Sequence, residues 1–166
     1  MGDLFKMLNP RTVALIGATE KKGSFGKALF DNLRQNRGIN FFPINNKRSS
    51  LNNLPCHSSI LDISEHIDLA VIVIPAAAVP AVVEECGRAG VDGVVIVSSG
   101  FGETGAGGRE LERQIVTAGR NYGMRIVGPG SLGIMRTNIG LNATTLSTQP
   151  ESGNIAFIAH TGNFPR

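Results

Sequence analysis

TVALIGATEKKGSFGKALFDNL, residues 12–33, passes from a β-branched apolar run through a glycine-bearing loop into a helical repeat. Val13, Ala14, Leu15 and Ile16 form the run, which Gly17 stops. A polar loop with Gly23 and Gly26 follows, and Ala28, Leu29 and Leu33 then recur at helical spacing. Strand, glycine loop and helix in this order bring free backbone N–H groups and the positive end of a helix dipole to one place. Such a place attracts an anion, most often a phosphate. The expectation is a phosphate-bearing nucleotide ligand on this loop. A strand-to-helix turn whose glycines serve geometry alone is the plainer alternative.

The spacing narrows the ligand. Ala18 and Thr19 follow Gly17, so the G-x-G-x-x-G dinucleotide fingerprint is a poor match. A Walker A loop fails as well, because Lys21 stands where its first glycine is required and Ala28 where Ser or Thr would hold magnesium.

Outward from this stretch, the 166 residues suit one domain, or one domain and the start of another. The apolar share and the glycine count fit a soluble α/β protein. No apolar run reaches the roughly 20 residues of a membrane helix, and MGDLFKMLNP lacks the pattern of a signal peptide, so the cytoplasm is the expected location. Cys56 and Cys86 lie far apart and form no C-x-x-C pair, which points to reduced thiols. A formal charge of +3, one Tyr and no Trp argue against nucleic acid as partner. The basic clusters Lys21-Lys22 and Lys47-Arg48 fall in loops expected at the ligand end of the sheet and suit a small polyanion.

After the first helix, expected to fade at Arg37-Gly38, Asn40 to Ile44 (NFFPI) reads as a second strand with Asn45 to Arg48 at its tip. NAD-binding folds place an acid there for the ribose hydroxyls, but no acid occurs between Asp31 and Asp62. Lys47 and Arg48 instead suit a phosphorylated ribose, as in NADP or coenzyme A, with a solvated basic turn as the bland alternative. Ser49 to His66 is polar and reads as a connection with one helical turn near Ile60 to Glu65.

Asp68 to Ile74 (DLAVIVI) is a continuous apolar run of strand length, as in a strand buried on both faces. Pro75 ends it, and the helix Val79 to Ala89 follows with Val79, Val82, Val83 and Cys86 inward, stopping at Gly90. Gly93 to Val97 is the next buried strand and runs into Ser98 and Ser99, where an open α/β sheet places ligand contacts. A helix through Leu111, Ile115 and Ala118 ends near Tyr122-Gly123, and Met124 to Val127 makes another strand. Strand–helix units of roughly 25 to 35 residues specify an α/β fold, a Rossmann-like doubly wound parallel sheet with right-handed crossovers. Leu132 to Thr145 breaks the pattern and reads as a small hairpin or extended segment. Asn154 to Ala159 (NIAFIA) reads as a further strand, and His160 to Asn163 as the opening of a second strand-to-helix loop.

Taken in order, TVALIGATEKKGSFGKALFDNL, FPINNK, DLAVIVIPAAAVPAVVEECGRAGV, GVVIVSSGFGETG, MRIVGPGSLGI and GLNAT resemble the coenzyme A-binding domain of the NDP-forming acyl-CoA synthetases. That superfamily includes ADP-forming acetyl-CoA synthetase, the α subunit of succinyl-CoA synthetase and related bacterial protein acetyltransferases. The resemblance covers nearly the whole chain, and the joint run of IPAAAVP, SSGFGETG and GP-x-S-LG is its most specific part. It implies coenzyme A as ligand, held by Thr19, Glu20, Lys21 and Lys22, with Gly17, Gly23 and Ser24 shaping the turn. It further implies contacts from Lys47, Pro75, Val97, Ser98 and Ser99, and a thiol pointing toward Ser131.

For a full-length enzyme the resemblance implies interconversion of acid, coenzyme A and ATP with acyl-CoA, ADP and phosphate, through an acyl phosphate and a phosphohistidine. The present chain is expected to bind coenzyme A without completing that reaction. Residues 1–150 read as the coenzyme A-binding domain, and residues 151–166 as the start of a truncated second domain or a C-terminal strand. Implied partners are the remaining synthetase domains or a β-type subunit carrying an ATP-grasp domain, and an exposed edge near residues 154–166 makes a homo-oligomer a further expectation.

The chain departs from the family pattern at two places. Gly130 stands where the family usually has Asn, and Ala159-His160-Thr161-Gly162 where it usually has S-Q-S-G. His57, His66 and His160 do not match the phosphorylated histidine; His57 and His66 show no metal-ligand spacing and read as surface residues. No Ser, His and Asp set has a recognisable catalytic spacing. Two other classes fit parts of the same pattern: an NADP-binding oxidoreductase fragment and a non-catalytic coenzyme A-sensing module.

Overall fold

The apolar runs left unbroken by the sequence become the middle of one sheet. The computed structural model describes residues 3–36 and 38–159. In chain order it contains α1 (Leu4–Leu8), β1 (Thr12–Ile16), α2 (Phe25–Arg34), β2 (Asn40–Ile44), β3 (Ser50–Leu51), β4 (Leu54–Pro55) and β5 (Leu69–Ile72). Then follow α3 (Val79–Arg88), β6 (Gly93–Ile96), α4 (Ala106–Tyr122), β7 (Arg125–Val127), β8 (Gly133–Arg136) and β9 (Leu141–Thr144).

Five strands pair in parallel in the order β2-β1-β5-β6-β7. The winding reverses between β1 and β5, which creates a crevice beyond their carboxyl ends. Side chains of the central strands alternate between two cores. Ala14, Ile16, Ala70, Ile72, Val94 and Ile96 meet α3 and α4 on one face. Val13, Leu15, Leu69, Val71 and Val95 meet α1, α2 and β9 on the other. Both faces are covered, so these strands carry no polar alternation.

The amino ends of β1 and β5 are joined by a reciprocal clamp. Asp68 Oδ2 accepts from the backbone N–H groups of Arg11 (2.7 Å) and Thr12 (3.1 Å), and Thr12 Oγ1 accepts from Asp68 N (2.9 Å). Leu132 to Thr145 resolves into the antiparallel β8–β9 hairpin, which packs on α2.

Several expectations are corrected. The first helix ends at Arg34, and Arg37 lies outside the described residues. The polar connection after β2 contains the small antiparallel β3–β4 hairpin, and α1 precedes the first strand. His57 is half-buried, bridges to Ile44 and tilts its ring against Phe42. Residues 154–159 form no strand with any described residue: Ile155 and Ile158 are each 95% exposed and Phe157 75%. A strand requires a ladder of a neighbour's N–H and C=O groups, and among the described residues none pairs with this segment as a strand. His160, Thr161, Gly162 and Asn163 lie outside the described residues. No helix among the described residues is long and apolar enough to cross a membrane.

Candidate functional site

The carboxyl ends of the parallel strands gather nearly every residue singled out from the sequence. Beyond β1, Gly17 and Ala18 both donate their N–H to Ile44 O at the end of β2, at 3.1 and 3.2 Å. Gly17 has φ +98°, and a Cβ there would lie 2.4 Å from Val73 O, so this crossing demands glycine. Gly26, in the first turn of α2, backs directly onto the same bend, since a Cβ on it would lie 2.4 Å from Gly17 O. Helix and strand therefore approach at backbone contact, as in phosphate-binding turns of doubly wound sheets.

Ser24 closes the loop. Its Oγ donates to Lys21 O (2.7 Å) and accepts from Lys27 N (3.2 Å), which caps α2. Thr19 Oγ1 accepts from Lys21 N at 3.2 Å. The side chains of Lys21 and Lys22 point to solvent and make no ion pair with a described residue.

The turn after β2 joins this loop. Asn45 Nδ2 donates to Ala18 O (2.8 Å), and Asn45 Oδ1 accepts from Lys47 N (2.8 Å). Lys47 is exposed and forms no ion pair with a described residue, whereas Arg48 lies 3.8 Å from Glu20 Oε2. The basic pair of the sequence is thus divided: Lys47 faces solvent and Arg48 is drawn to a carboxylate. Glu20 Oε1 also accepts from Asn52 N at 2.8 Å, in the bend between β3 and β4.

The rim continues across β5 and β6. Ser98 is buried, and its Oγ accepts from Ile74 N (3.0 Å), the residue before Pro75. Ser98 O accepts from Gly130 N (2.9 Å), and Ile96 O from Ser131 N (3.1 Å). Asn45, Ala18, Gly17, Val73, Ile74, Ser98 and Gly130 thereby form one connected edge. Ser99 is exposed on it, and Val97 is buried beneath it. Ser131 Oγ accepts from Gly133 N at 3.0 Å, and among the described residues no basic side chain is bonded to it.

The loop after Ser99 is held by carboxylates. Glu103 Oε1 accepts from Gly100 N (2.5 Å) and Oε2 from Phe101 N (3.0 Å), while Glu112 Oε1 accepts from Gly102 N (3.0 Å). The N–H groups of Gly100, Glu103 and Phe101 hold the Glu103 carboxyl below the usual range. A groove of about 1030 Å³ runs beside β7 and reaches Gly130, Ser131 and Phe157.

The opposite end of the sheet holds a different cluster. His66 Nε2 lies 2.6 Å from Asp92 Oδ2 and 3.8 Å from Asp68 Oδ1, and Lys6 Nζ is 3.2 Å from Asp92 Oδ2. The three acid and imidazole groups come within 4.8 Å of one another although their sequence spacing shows no metal pattern. Lys6 already supplies a cation there. Cys86, on α3, is fully buried in the core between the sheet and α3 and α4, and burial pushes its thiol up to about 12.

A doubly wound sheet with a glycine bend, a capped helix start and exposed lysines at its switch point defines a Rossmann-like domain suited to anionic ligands. Residues 11–137 match the family of CoA binding domains, and the chain belongs to that family. It is 43% identical over 159 residues to an ADP-forming acetate–CoA ligase of Archaeoglobus fulgidus, covering 96% of this chain and 23% of that protein. It is 41% identical to the α subunit of ADP-forming acetate–CoA ligase II of Pyrococcus furiosus, covering 93% of this chain and 34% of that subunit. The structure of acetyl-coenzyme A synthetase 1 of Ca. Korarchaeum cryptofilum, in complex with phosphate and ADP, superposes with a TM-score of 0.81. That match has 35% identity over 87% of this chain and 31% of the other. The chain therefore spans between about a quarter and a third of the length of these relatives.

Proposed function

We propose that this domain binds coenzyme A along the rim described above. The pyrophosphate rests on Thr19 to Ser24 and the start of α2, where Lys21 and Lys22 add charge. Lys47 faces the ribose 3′-phosphate. The pantetheine arm follows Pro75 and the β6 end at Val97, Ser98 and Ser99, and the thiol reaches toward Ser131. Glu20 and Gly17 belong to the same loop, with Gly23 completing its turn.

The observation that carries this reading is the joining of two basic segments to one edge at the switch point. The glycine loop and the Lys47 turn are held together by Asn45, at 2.8 Å on each side. A ligand with a pyrophosphate and a separate ribose phosphate uses both segments. The donor set fits that chemistry: loop amides, hydroxyls and the exposed ammonium groups of Lys21, Lys22 and Lys47.

The wider role follows from the relatives, which are longer. We infer that the domain works within an ADP-forming acyl-CoA synthetase, either in one chain or beside a β-type subunit. There it presents coenzyme A, while the phosphohistidine and nucleotide chemistry belong to other domains. The apolar segment Ile155 to Ile158, largely exposed, is read as the beginning of the next domain.

Calorimetric titration of the chain with coenzyme A, dephospho-coenzyme A and NADPH in the same salt tests the reading. Coenzyme A is expected to bind more tightly than either competitor. Binding of NADPH alone would transfer the domain to redox chemistry, and binding of none would reject the ligand site.

A further inference from the structure

The cations of the rim lie on segments that are distant in sequence, so something must hold those segments in register. Two side chains do so. Asn45 spends both ends of its amide: Nδ2 on Ala18 O and Oδ1 on Lys47 N, each at 2.8 Å. Glu20 reaches the other way, accepting from Asn52 N at 2.8 Å and facing Arg48 at 3.8 Å. One tie runs from the Lys47 turn to the glycine loop, and the other from the glycine loop to the β3–β4 bend.

Charge alone does not explain Glu20. A carboxylate on a phosphate-binding loop opposes the approach of a polyanion and takes Arg48 partly out of play. An exposed ion pair at 3.8 Å adds little stability. What Glu20 does supply is an acceptor for a backbone N–H of the β3–β4 bend, which stands Lys47 and Arg48 on a braced segment. Asn52 and Asn53 both have positive φ, +46° and +65°, so that bend has a fixed shape to present to Glu20.

We propose that Asn45 and Glu20 are positioning residues that clasp the glycine loop to the basic turn, and that this clasp sets the preference for a ligand carrying a ribose phosphate in addition to a pyrophosphate. The inference rests on the coenzyme A reading above. In it, Lys47 touches the ligand, and Asn45 and Glu20 act through Lys47. Arg48 is the spectator cation, held aside by Glu20.

The test compares coenzyme A with dephospho-coenzyme A on the full 166-residue chain, using the ratio of the two dissociation constants. Asn45→Ala and Glu20→Ala are each expected to reduce the preference for coenzyme A about five- to tenfold, the scale of one lost hydrogen bond at a binding site. Glu20→Gln keeps an oxygen for Asn52 N–H and should retain more of the preference than Glu20→Ala. In a Lys47→Ala background, Asn45→Ala and Glu20→Ala should change the ratio no further, because the clasp works only through that ammonium group.

A merely structural role would weaken both ligands together and leave the ratio unmoved, which would overturn the inference. So would a loss of preference that persists unchanged in the Lys47→Ala background. Glu20 is partly exposed on a loop, so Glu20→Ala carries the test if Asn45→Ala lowers thermal stability. If Lys47→Ala alone shifts the ratio while the clasp variants do not, only the inference falls. If the parent chain does not distinguish the two ligands, the coenzyme A reading itself falls and takes the inference with it.

Discussion

Lys47 stands on a turn with its ammonium group exposed, in no ion pair with a described residue, and its own N–H held by Asn45. Lys47→Ala is expected to weaken coenzyme A by about 1 to 3 kcal/mol, the range of a charge-assisted contact, and to leave dephospho-coenzyme A nearly unchanged. Titration of both ligands reads this directly. Two glycines on the same rim differ in what they forbid. At Gly17 a side chain meets Val73 O at 2.4 Å, so Gly17→Ala should cost more than the roughly 1 to 2 kcal/mol of left-handed strain alone. A urea melt with an unchanged midpoint would contradict that geometry. At Gly130, φ is +71° and a Cβ meets nothing within 4 Å. Asn tolerates this conformation better than most residues, so Gly130→Asn should fold with a melting temperature close to that of the parent, placing an amide donor at the Ser131 end. A large drop in a thermal scan would show that the space is not open.

At the scale of elements, α1 is the clearest case of a short helix held by tertiary contact. Five residues cannot sustain a helix alone, yet Asp3 caps it by accepting from Phe5 N at 2.8 Å, and Met7 is fully buried. Met7 lies where a Cβ on Gly93 would be 2.5 Å from its Cγ, so a glycine at the start of β6 makes room for it. Met7→Ala is expected to destabilise the domain by about 2 kcal/mol or more, since it leaves a cavity on the second core. Chemical denaturation with the slope unchanged is the appropriate measurement. The β8–β9 hairpin is tied in a comparable way. Asn32 Nδ2 on α2 donates to Thr144 O and Leu146 O, both at 2.8 Å, and Thr144 Oγ1 donates to buried Asn142 at 2.7 Å.

For the molecule as a whole, three carboxylates sit below their ordinary range. Burial works against ionised Asp92, but the His66 and Lys6 contacts outweigh it. The Ser58 hydroxyl and Ser59 N–H lower Asp62, and the N–H groups of Gly100, Glu103 and Phe101 lower Glu103. A depressed folded value means that the unfolded chain takes up protons first as pH falls. The stabilisation is therefore present above the ordinary carboxylate values and is lost as pH drops through the lower folded ones. The urea midpoint should fall between about pH 5 and pH 3. Equal midpoints at the two pH values would show that these contacts contribute nothing net.

The sequence by itself determined the strand–loop–helix start, the doubly wound class and the family, because unbroken apolar runs, glycine placement and helical spacing are local properties of the chain. It also marked both basic loops, since Lys21, Lys22 and Lys47 fall directly after strands. The β3–β4 hairpin, α1 and the half-buried His57 were not legible, because short elements exist only where distant neighbours complete them. The division of labour between Lys47 and Arg48 was hidden for the same reason. Glu20 and Asn45 reach their partners across a fold-brought gap, and no spacing in the chain records which cation a carboxylate will hold. The expectation that both basic segments lie at the ligand end of the sheet is met, since β2 pairs beside β1 in parallel. Tertiary structure alone decided how they join there, through the Asn45 amide on Ala18 O, because that contact spans residues distant in the chain.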